Sequence, residues 1–138
     1  MLKLLDAEGL TTVLRDFGQN KPIFGTCAGA ILMARDVSHP AQPSLRLMDI
    51  GVERNAYGRQ LDSRVTRVSS SEGEMEAVFI RAPIIRSVGA NVLVVARYAD
   101  DPVWVEEGLH TVTTFHPELT ADARVHRRFL EKLISRGC

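Results

Sequence analysis

The sequence has few cysteines and no excess of charge of either sign. Only two of its 138 residues are cysteines, too few for a disulfide framework, and we expect both to be reduced thiols of a cytoplasmic protein. Its 17 basic residues balance 17 acidic ones, which argues against a dedicated nucleic-acid binder, because such proteins usually carry a basic excess. These shortages leave a single-domain protein as the main expectation.

Long apolar runs and export signals are also missing. No stretch of about 18 apolar residues occurs, so we predict no membrane-spanning helix. The first residues, Met-Leu-Lys-Leu-Leu-Asp-Ala-Glu, carry charges where a signal peptide would be apolar. Repeats and low-complexity segments are absent as well.

Periodic apolar residues predict an α/β fold. Apolar positions at helical intervals indicate amphipathic helices at both ends of the chain, and period-two patterns in its second half indicate strands. Helices around partly continuous apolar strands favour a three-layer α/β/α domain. The predicted helices are residues 2–17, 28–35 and 122–136, and the predicted strands are residues 22–25, 51–54, 63–68, 75–81, 91–98, 103–106 and 111–115.

The most informative segment is Gly-Thr-Cys-Ala-Gly at residues 25–29. A strand, then Gly-x-Cys-x-Gly, then a helix is typical of a nucleophile elbow, a tight turn on which the central side chain is exposed. Both glycines are expected to be needed because the turn leaves little room for a Cβ. The helix N-terminus should lower the pKa of the Cys27 thiol. The alternative is a small buried cysteine in a glycine-flanked turn.

A cysteine nucleophile needs a base, and Phe-His-Pro-Glu at residues 115–118 can supply one. On an extended backbone His116 and Glu118 point to the same side, and the intervening proline disfavours helical geometry at the histidine. Glu118 could then hold the tautomer of His116. An exposed histidine at a strand end is the alternative.

The other histidines and the last cysteine show no pattern of a site. His39 and His110 are expected in solvent, His126 is expected on a helix surface, and Cys138 has no assigned role. No Cys/His cluster has the spacing of zinc ligands and no glycine-rich phosphate loop occurs, so we predict neither a metal nor another cofactor.

Two further segments place arginines beside turns. They are Glu-Arg-Asn-Ala-Tyr-Gly-Arg-Gln at residues 53–60 and Phe-Ile-Arg-Ala-Pro at residues 79–83. Arginine at such places suits bidentate recognition of a carboxylate. A solvated loop and a surface ion pair are the alternatives.

Together, the four motifs resemble the glutaminase subunit of pyridoxal phosphate synthase, which belongs to the class I (triad) glutamine amidotransferases. The cysteine elbow and His-Pro-Glu are shared by class I enzymes, whereas residues 53–55 and 79–83 are specific to this subfamily. The resemblance covers the whole chain. It implies one glutamine amidotransferase domain over residues 1–138, with the three-layer, flavodoxin-like fold of that class.

The resemblance also implies the roles of individual residues. Cys27 would attack the side-chain amide of L-glutamine to form a thioester, His116 would transfer the protons, and Glu118 would orient His116. Arg54, Ile80 and Arg81 match positions that help bind glutamine. The partner would be the pyridoxal phosphate synthase subunit, to which the ammonia would pass. No nucleic acid, membrane, metal or cofactor is implied.

One family feature has no counterpart in these 138 residues. Family members begin with a strand, a helix and a second strand, followed by a Gly-Gly-Glu-Ser loop that supplies part of the oxyanion hole. We therefore expect an N-terminally truncated domain that alone is a poor glutaminase. The alternatives are a docking module without catalysis, or the glutaminase of another class I enzyme such as the imidazole glycerol phosphate type, against which residues 79–83 argue.

Overall fold

The computed structural model describes residues 9–54 and 63–135. Those residues form three α-helices, nine strands and one 3₁₀ turn. In chain order they are α1 (Leu10–Asn20), β1 (Phe24–Thr26), α2 (Ala28–Met33), β2 (Ala34–Ser38), β3 (Met48–Glu53), β4 (Ser63–Ser70), β5 (Gly73–Ile80), β6 (Ile84–Val88), β7 (Leu93–Tyr98), β8 (Asp101–Glu107), β9 (His110–Thr113), the 3₁₀ turn (Pro117–Leu119) and α3 (Arg124–Ser135).

The strands form two sheets. A six-stranded sheet has the order β1-β9-β8-β7-β4-β5, and a three-stranded sheet has the order β2-β3-β6. β1 runs parallel to β9 with Phe24 opposite Thr111 and Thr26 opposite Thr113. β2 and β3 are also parallel, and the other pairs are antiparallel. Cys27 follows β1 and His116 follows β9. Because β1 and β9 are parallel, both predicted catalytic residues therefore lie beyond the same edge of the sheet.

Apolar residues cover both faces of the larger sheet. On one face Trp104 and Phe115 pack in a cluster with Val125 of α3. On the other face Val105 and Val112 pack in a cluster with residues of α2 and of the second sheet. This layering confirms the α/β fold predicted from the sequence, since each face of the central sheet is buried beneath another layer.

The helix predicted over residues 2–17 is confirmed where the structure describes it. Leu14 packs against the buried cluster of Leu32 and Leu45, and the helix ends at Asn20, close to the predicted end. Gly9 has φ of 70° and immediately precedes α1, so it lies at the N-terminal boundary of that helix. Residues 1–8 lie outside the described part of the chain.

The sequence patterns did not predict two of the strands, β2 and β6. The helix predicted over residues 28–35 ends at Met33, and Ala34 already has extended backbone (φ −66°, ψ 150°) at the start of β2. Short β6, after Pro83, pairs antiparallel with β3. Both strands form because β3 lies between them and supplies backbone partners, a tertiary condition that local periodicity does not report.

His110 is buried, and the prediction that it lies in solvent is wrong. Only 7% of the residue is exposed. One ring nitrogen, Nε2, lies 2.9 Å from the carbonyl oxygen of Gly18 in α1, and Nδ1 accepts a hydrogen bond of 3.2 Å from the backbone N–H of Ile23. His110 is the first residue of β9 and packs against the connection between α1 and β1. This packing excludes water from the imidazole.

Burial gives His110 a predictable effect on stability. Loss of solvation lowers its pKa from the ordinary 6.5, although the Gly18 carbonyl and Glu107 favour the charged ring. The unfolded chain then binds a proton more readily than the folded one. The stabilisation from neutral His110 is complete above about pH 6.5 and is lost as the pH falls toward the lower folded-state pKa.

We expect the free energy of unfolding to fall below pH 6.5 more steeply in the wild type than in His110→Gln. The difference should reach about 1.4 kcal/mol for each unit between the two pKa values. Urea unfolding of both proteins from about pH 8 to about pH 5 measures it. Parallel curves over that range would contradict a buried neutral histidine.

Candidate active site

Cys27 lies on a tight turn between β1 and α2. Its backbone has φ of 51° and ψ of −104°, a conformation with positive φ that non-glycine residues rarely adopt. The Cys27 N–H donates to the carbonyl of Thr113 in β9 at 2.9 Å, so the turn is fastened to the neighbouring strand. The strand–cysteine–helix arrangement predicted from the sequence is confirmed.

The two glycines that flank the cysteine are not equivalent. A Cβ on Gly25 would lie 2.8 Å from Met33 Sδ and 3.0 Å from the backbone carbonyl of Gly29, whereas a Cβ on Gly29 would meet no heavy atom of residues 9–54 and 63–135 within 4 Å. The close approach of strand and helix therefore requires a glycine at position 25 only. The prediction that both glycines are needed is wrong for Gly29.

We expect Gly25→Ala to destabilise the fold by about 1–3 kcal/mol, as overpacking in a buried site does. Gly29→Ala is the matched control and should be neutral or slightly stabilising, because alanine favours a helix interior. Urea unfolding of both variants measures the difference. Equal effects of the two substitutions would contradict the close packing at Gly25.

The surroundings of Cys27 favour the neutral thiol over the thiolate. The side chain is partly buried, and Sγ lies 3.5 Å from the carbonyl oxygen of Ile80, to which it can donate. Burial raises the pKa of the thiol; the Ala28 backbone N–H opposes this, and the negative charge of Glu118 adds to it. The predicted lowering of the pKa by a helix N-terminus is wrong, because α2 has only six residues and burial outweighs it.

His116 and Glu118 form the pair that their spacing predicts. His116 has extended backbone (φ −105°, ψ 90°) and Pro117 begins the 3₁₀ turn. His116 Nδ1 lies 2.8 Å from Glu118 Oε2. Partial burial works against ionisation of Glu118, but the hydrogen bond to His116, a backbone hydrogen bond and the charges of His116 and His126 together outweigh it, so the pKa of the carboxyl is lowered. An ionised carboxylate only accepts, so Nδ1 carries the proton and Nε2 is left as the basic nitrogen.

Strand β5 connects the cysteine to the histidine. The carbonyl of Val78 accepts from the His116 N–H at 2.8 Å, and two residues later the Ile80 carbonyl faces Cys27 Sγ. Phe79 packs edge-on against Phe115, with ring centroids 5.8 Å apart. Cys27, after β1, and His116, after β9, are thus both bound to β5, and Glu118 is near enough for its charge to act on the Cys27 thiol. The sequence did not predict these contacts of the Val78 and Ile80 carbonyls, because every residue type has a backbone carbonyl and no side-chain pattern marks them.

Arg81 and Arg54 hold different places relative to this group. Arg81 follows Ile80 directly, has φ of 48° and is exposed. Arg54 lies beyond β3 in the second sheet, where its N–H donates to the Ser38 carbonyl at 2.8 Å and its guanidinium donates to Gln42. The structure therefore brings Arg81 to the site and places the described contacts of Arg54 elsewhere.

Of the segment at residues 53–60, only Glu53 and Arg54 are described; residues 55–60 lie outside the described part of the chain. Glu53 pairs with Arg86 at 3.0 Å, and this hydrogen bond lowers the pKa of the carboxyl. Recognition of a carboxylate by residues 53–60 stays a prediction.

The other two histidines lie at the surface. His39 and His126 are exposed, as predicted, and the His126 ring lies 5.5 Å from that of Phe24. Across residues 9–54 and 63–135, no group of three or more His, Cys, Asp or Glu side chains is arranged to hold a metal ion. The helices within these ranges are all too short or too polar to span a bilayer.

The fold and this arrangement define a class of protein. A cysteine on a strand–helix turn, beside a histidine–glutamate pair that follows the adjacent parallel strand, is the arrangement of class I glutamine amidotransferases. Residues 1–135 match the SNO glutamine amidotransferase family. The chain belongs to that family.

Similar proteins agree with this assignment. The pyridoxal 5'-phosphate synthase subunit PdxT of Solibacter usitatus is 57% identical over 96% of this chain and 73% of its own length. PdxT of Koribacter versatilis is 50% identical over 99% of this chain and 71% of its own length. This chain thus spans about seven-tenths of these relatives.

Solved structures show the same fold. A crystal structure of a glutamine amidotransferase superposes with a TM-score of 0.85 and 42% identity, over 94% of this chain and 71% of that one. A Thermoplasma acidophilum protein assigned to GMP synthase has a TM-score of 0.66 at 18% identity, over 93% of this chain and 66% of that one. The second likeness concerns the fold alone.

Proposed function

We propose that this chain hydrolyses L-glutamine to L-glutamate and ammonia through a thioester on Cys27. The observation that carries the proposal is the position of Cys27 on a positive-φ turn at the carboxyl end of the strand beside His116 and Glu118. Membership of the glutamine amidotransferase family supports the same reaction.

The first half-reaction forms the thioester. His116 Nε2 takes the proton of Cys27 Sγ, which burial otherwise keeps on the sulfur, and the thiolate attacks the amide carbonyl carbon of glutamine. The C–N bond breaks as the imidazolium returns the proton to the departing nitrogen, and ammonia leaves. Glu118 keeps Nδ1 protonated and stabilises the imidazolium between these two transfers.

The second half-reaction regenerates the thiol. His116 Nε2 takes a proton from a water molecule, whose oxygen attacks the thioester carbonyl. The C–S bond breaks, glutamate leaves with the new carboxyl group, and the proton returns to Cys27 Sγ. Each side chain ends in the state in which it began.

Glutamine binding is assigned to Ile80, Arg81 and Arg54. The Ile80 carbonyl already lies at the reacting sulfur, and the exposed Arg81 guanidinium next to it suits the α-carboxylate of glutamine through a bidentate fork. Arg54 is assigned to the same task by its place in the subfamily motif. Its described contacts to Ser38 and Gln42 mean that any contact with substrate would be made from the second sheet.

The partner is a synthase subunit that consumes the ammonia. The relatives from Solibacter usitatus and Koribacter versatilis are named as subunits of pyridoxal 5'-phosphate synthase, which supports an ammonia transfer for pyridoxal phosphate biosynthesis. We assign the chain to the cytoplasm as one domain over residues 1–138, with no cofactor of its own.

The proposal is tested by following both products. The Cys138→Ser protein is incubated with glutamine, with and without the synthase subunit, before and after alkylation of Cys27 by iodoacetamide. We expect glutamate and ammonia in equal amounts, and a loss of turnover in proportion to the alkylated fraction of Cys27. Turnover that survives complete alkylation would disprove the thioester route.

A further inference from the structure

We propose that His110 is a positioning residue for Cys27 and His116. It fixes the start of β1 against the start of β9, at the end of the strand pair opposite the reacting groups. The inference rests on the proposed roles of Cys27 and His116, but it concerns a side chain that touches neither of them.

The alignment of Cys27 with His116 depends on a short ladder. β1 and β9 share only three residue pairs, from Phe24 opposite Thr111 to Thr26 opposite Thr113. β1 is also the end strand of its sheet among the described residues, so β9 alone sets its register there. A shift of this ladder would move the turn that carries Cys27 relative to the strand that carries His116.

His110 adds side-chain bonds to that ladder at its far end. Next to it, the Thr111 N–H donates to the Ile23 carbonyl at 3.1 Å, and the Ile23 N–H donates to His110 Nδ1 at 3.2 Å. The peptide groups on both sides of Ile23 are thereby bound to β9. At the other end of the ladder the Cys27 N–H is bound to Thr113, so β1 is held at both ends.

The imidazole also holds the helix that leads into β1. His110 Nε2 lies 2.9 Å from the Gly18 carbonyl, and α1 packs so tightly there that a Cβ on Gly18 would lie 2.6 Å from Leu47 Cδ1. One buried side chain of β9 therefore binds both α1 and Ile23, the residue directly before β1.

Both hydrogen bonds require the neutral ring. Nδ1 must present a lone pair to the Ile23 N–H while Nε2–H donates to Gly18. Protonation would place a hydrogen on Nδ1, which would then face the Ile23 N–H donor and could no longer accept from it. Within the described part of the chain, the charges of Glu107 in β8 and Lys132 in α3 act on the ring, and Arg46 lines with it a cavity of about 330 Å³.

Three substitutions separate the two hydrogen bonds. The amide oxygen of His110→Asn can occupy the place of Nδ1 and keep the acceptor for Ile23, and the amide nitrogen of His110→Gln can occupy that of Nε2 and keep the donor for Gly18. His110→Leu removes both. All three substitutions are made in a Cys138→Ser protein, so that Cys27 is the only thiol that iodoacetamide can alkylate.

Two readouts at about pH 7.5 test the proposal, with urea unfolding measured separately. For His110→Leu we expect kcat for glutamine to fall by about tenfold or more with KM changed less than twofold, since misalignment affects the transition state more than binding. The rate of Cys27 alkylation by iodoacetamide should fall in parallel. His110→Asn should keep more of both rates than His110→Gln, because it keeps the bond to β1.

Unchanged kcat and alkylation rates in a folded His110→Leu protein would overturn the proposal, as would a rise in KM that matches the fall in kcat. If the leucine variant does not fold, equal rates for the Asn and Gln variants would overturn it. Turnover that is independent of Cys27 would instead disprove the proposed function, and the alkylation rates would still test the alignment.

Discussion

Replacing Cys27 by serine is expected to lower kcat for glutamine hydrolysis by at least about a thousandfold, because removal of a catalytic nucleophile abolishes the covalent route. Serine fits the turn, but its hydroxyl is far less acidic than a thiol, so His116 cannot generate an equivalent nucleophile. KM for glutamine should change little, since Sγ reacts with the substrate rather than holding it. Glutamate release at saturating glutamine, with the synthase subunit present, measures the effect.

Cys138→Ser is the control for this substitution. It removes the chain's other thiol and should leave kcat within about twofold of the wild type. A Cys27→Ser protein with wild-type turnover would show that the partly buried cysteine at the β1–α2 turn is structural, which is the alternative that the glycine-flanked sequence leaves open.

His116→Ala should have the second-largest effect, a loss of about a thousandfold in kcat. General acid–base groups contribute about 10²- to 10⁴-fold. A base is especially important here because burial raises the pKa of the Cys27 thiol. Without His116 the sulfur stays protonated at neutral pH, and ammonia leaves without a proton donor. The rate should then rise with pH, as hydroxide replaces the base, and kcat measured from about pH 6 to pH 10 checks this.

Glu118→Gln provides the graded control. It keeps a hydrogen-bond partner for His116 but removes the negative charge that stabilises the imidazolium, so we expect a smaller loss than for His116→Ala, because the basic nitrogen of His116 remains. Free imidazole should restore part of the activity of His116→Ala and none of that of Cys27→Ser. Equal losses for Glu118→Gln and His116→Ala, or no rescue of His116→Ala, would contradict the assigned division of roles.

The catalytic motifs could be recognised from sequence because their geometry is local. Gly-x-Cys-x-Gly between a strand and a helix predicts a turn, and the structure has one with φ of 51° at Cys27. A proline between His116 and Glu118 predicts two side chains on one side of the backbone, and they lie 2.8 Å apart. Such relations span five residues or fewer, so chain stereochemistry alone is enough to predict them.

Properties that depend on burial could not be predicted in this way. The glycine-containing turn before His110 predicts a solvated side chain, yet the residue is 7% exposed because α1 and β1 close over it. The pKa of Cys27 is raised rather than lowered because the surrounding chain removes water from the thiol. Neither result is a property of the neighbouring residues in sequence.

The α/β class, the cysteine elbow and the His-Pro-Glu pair follow from local patterns, because periodicity, turn chemistry and short spacings act between residues that are close along the chain. Three features depend instead on tertiary packing: β5 lies against both Cys27 and His116, the described contacts of Arg54 lie in the second sheet, and buried His110 of β9 binds α1 and the residue before β1. These relations connect residues tens of positions apart. They exist because the two faces of the central sheet must be buried, and that requirement acts on the whole chain at once.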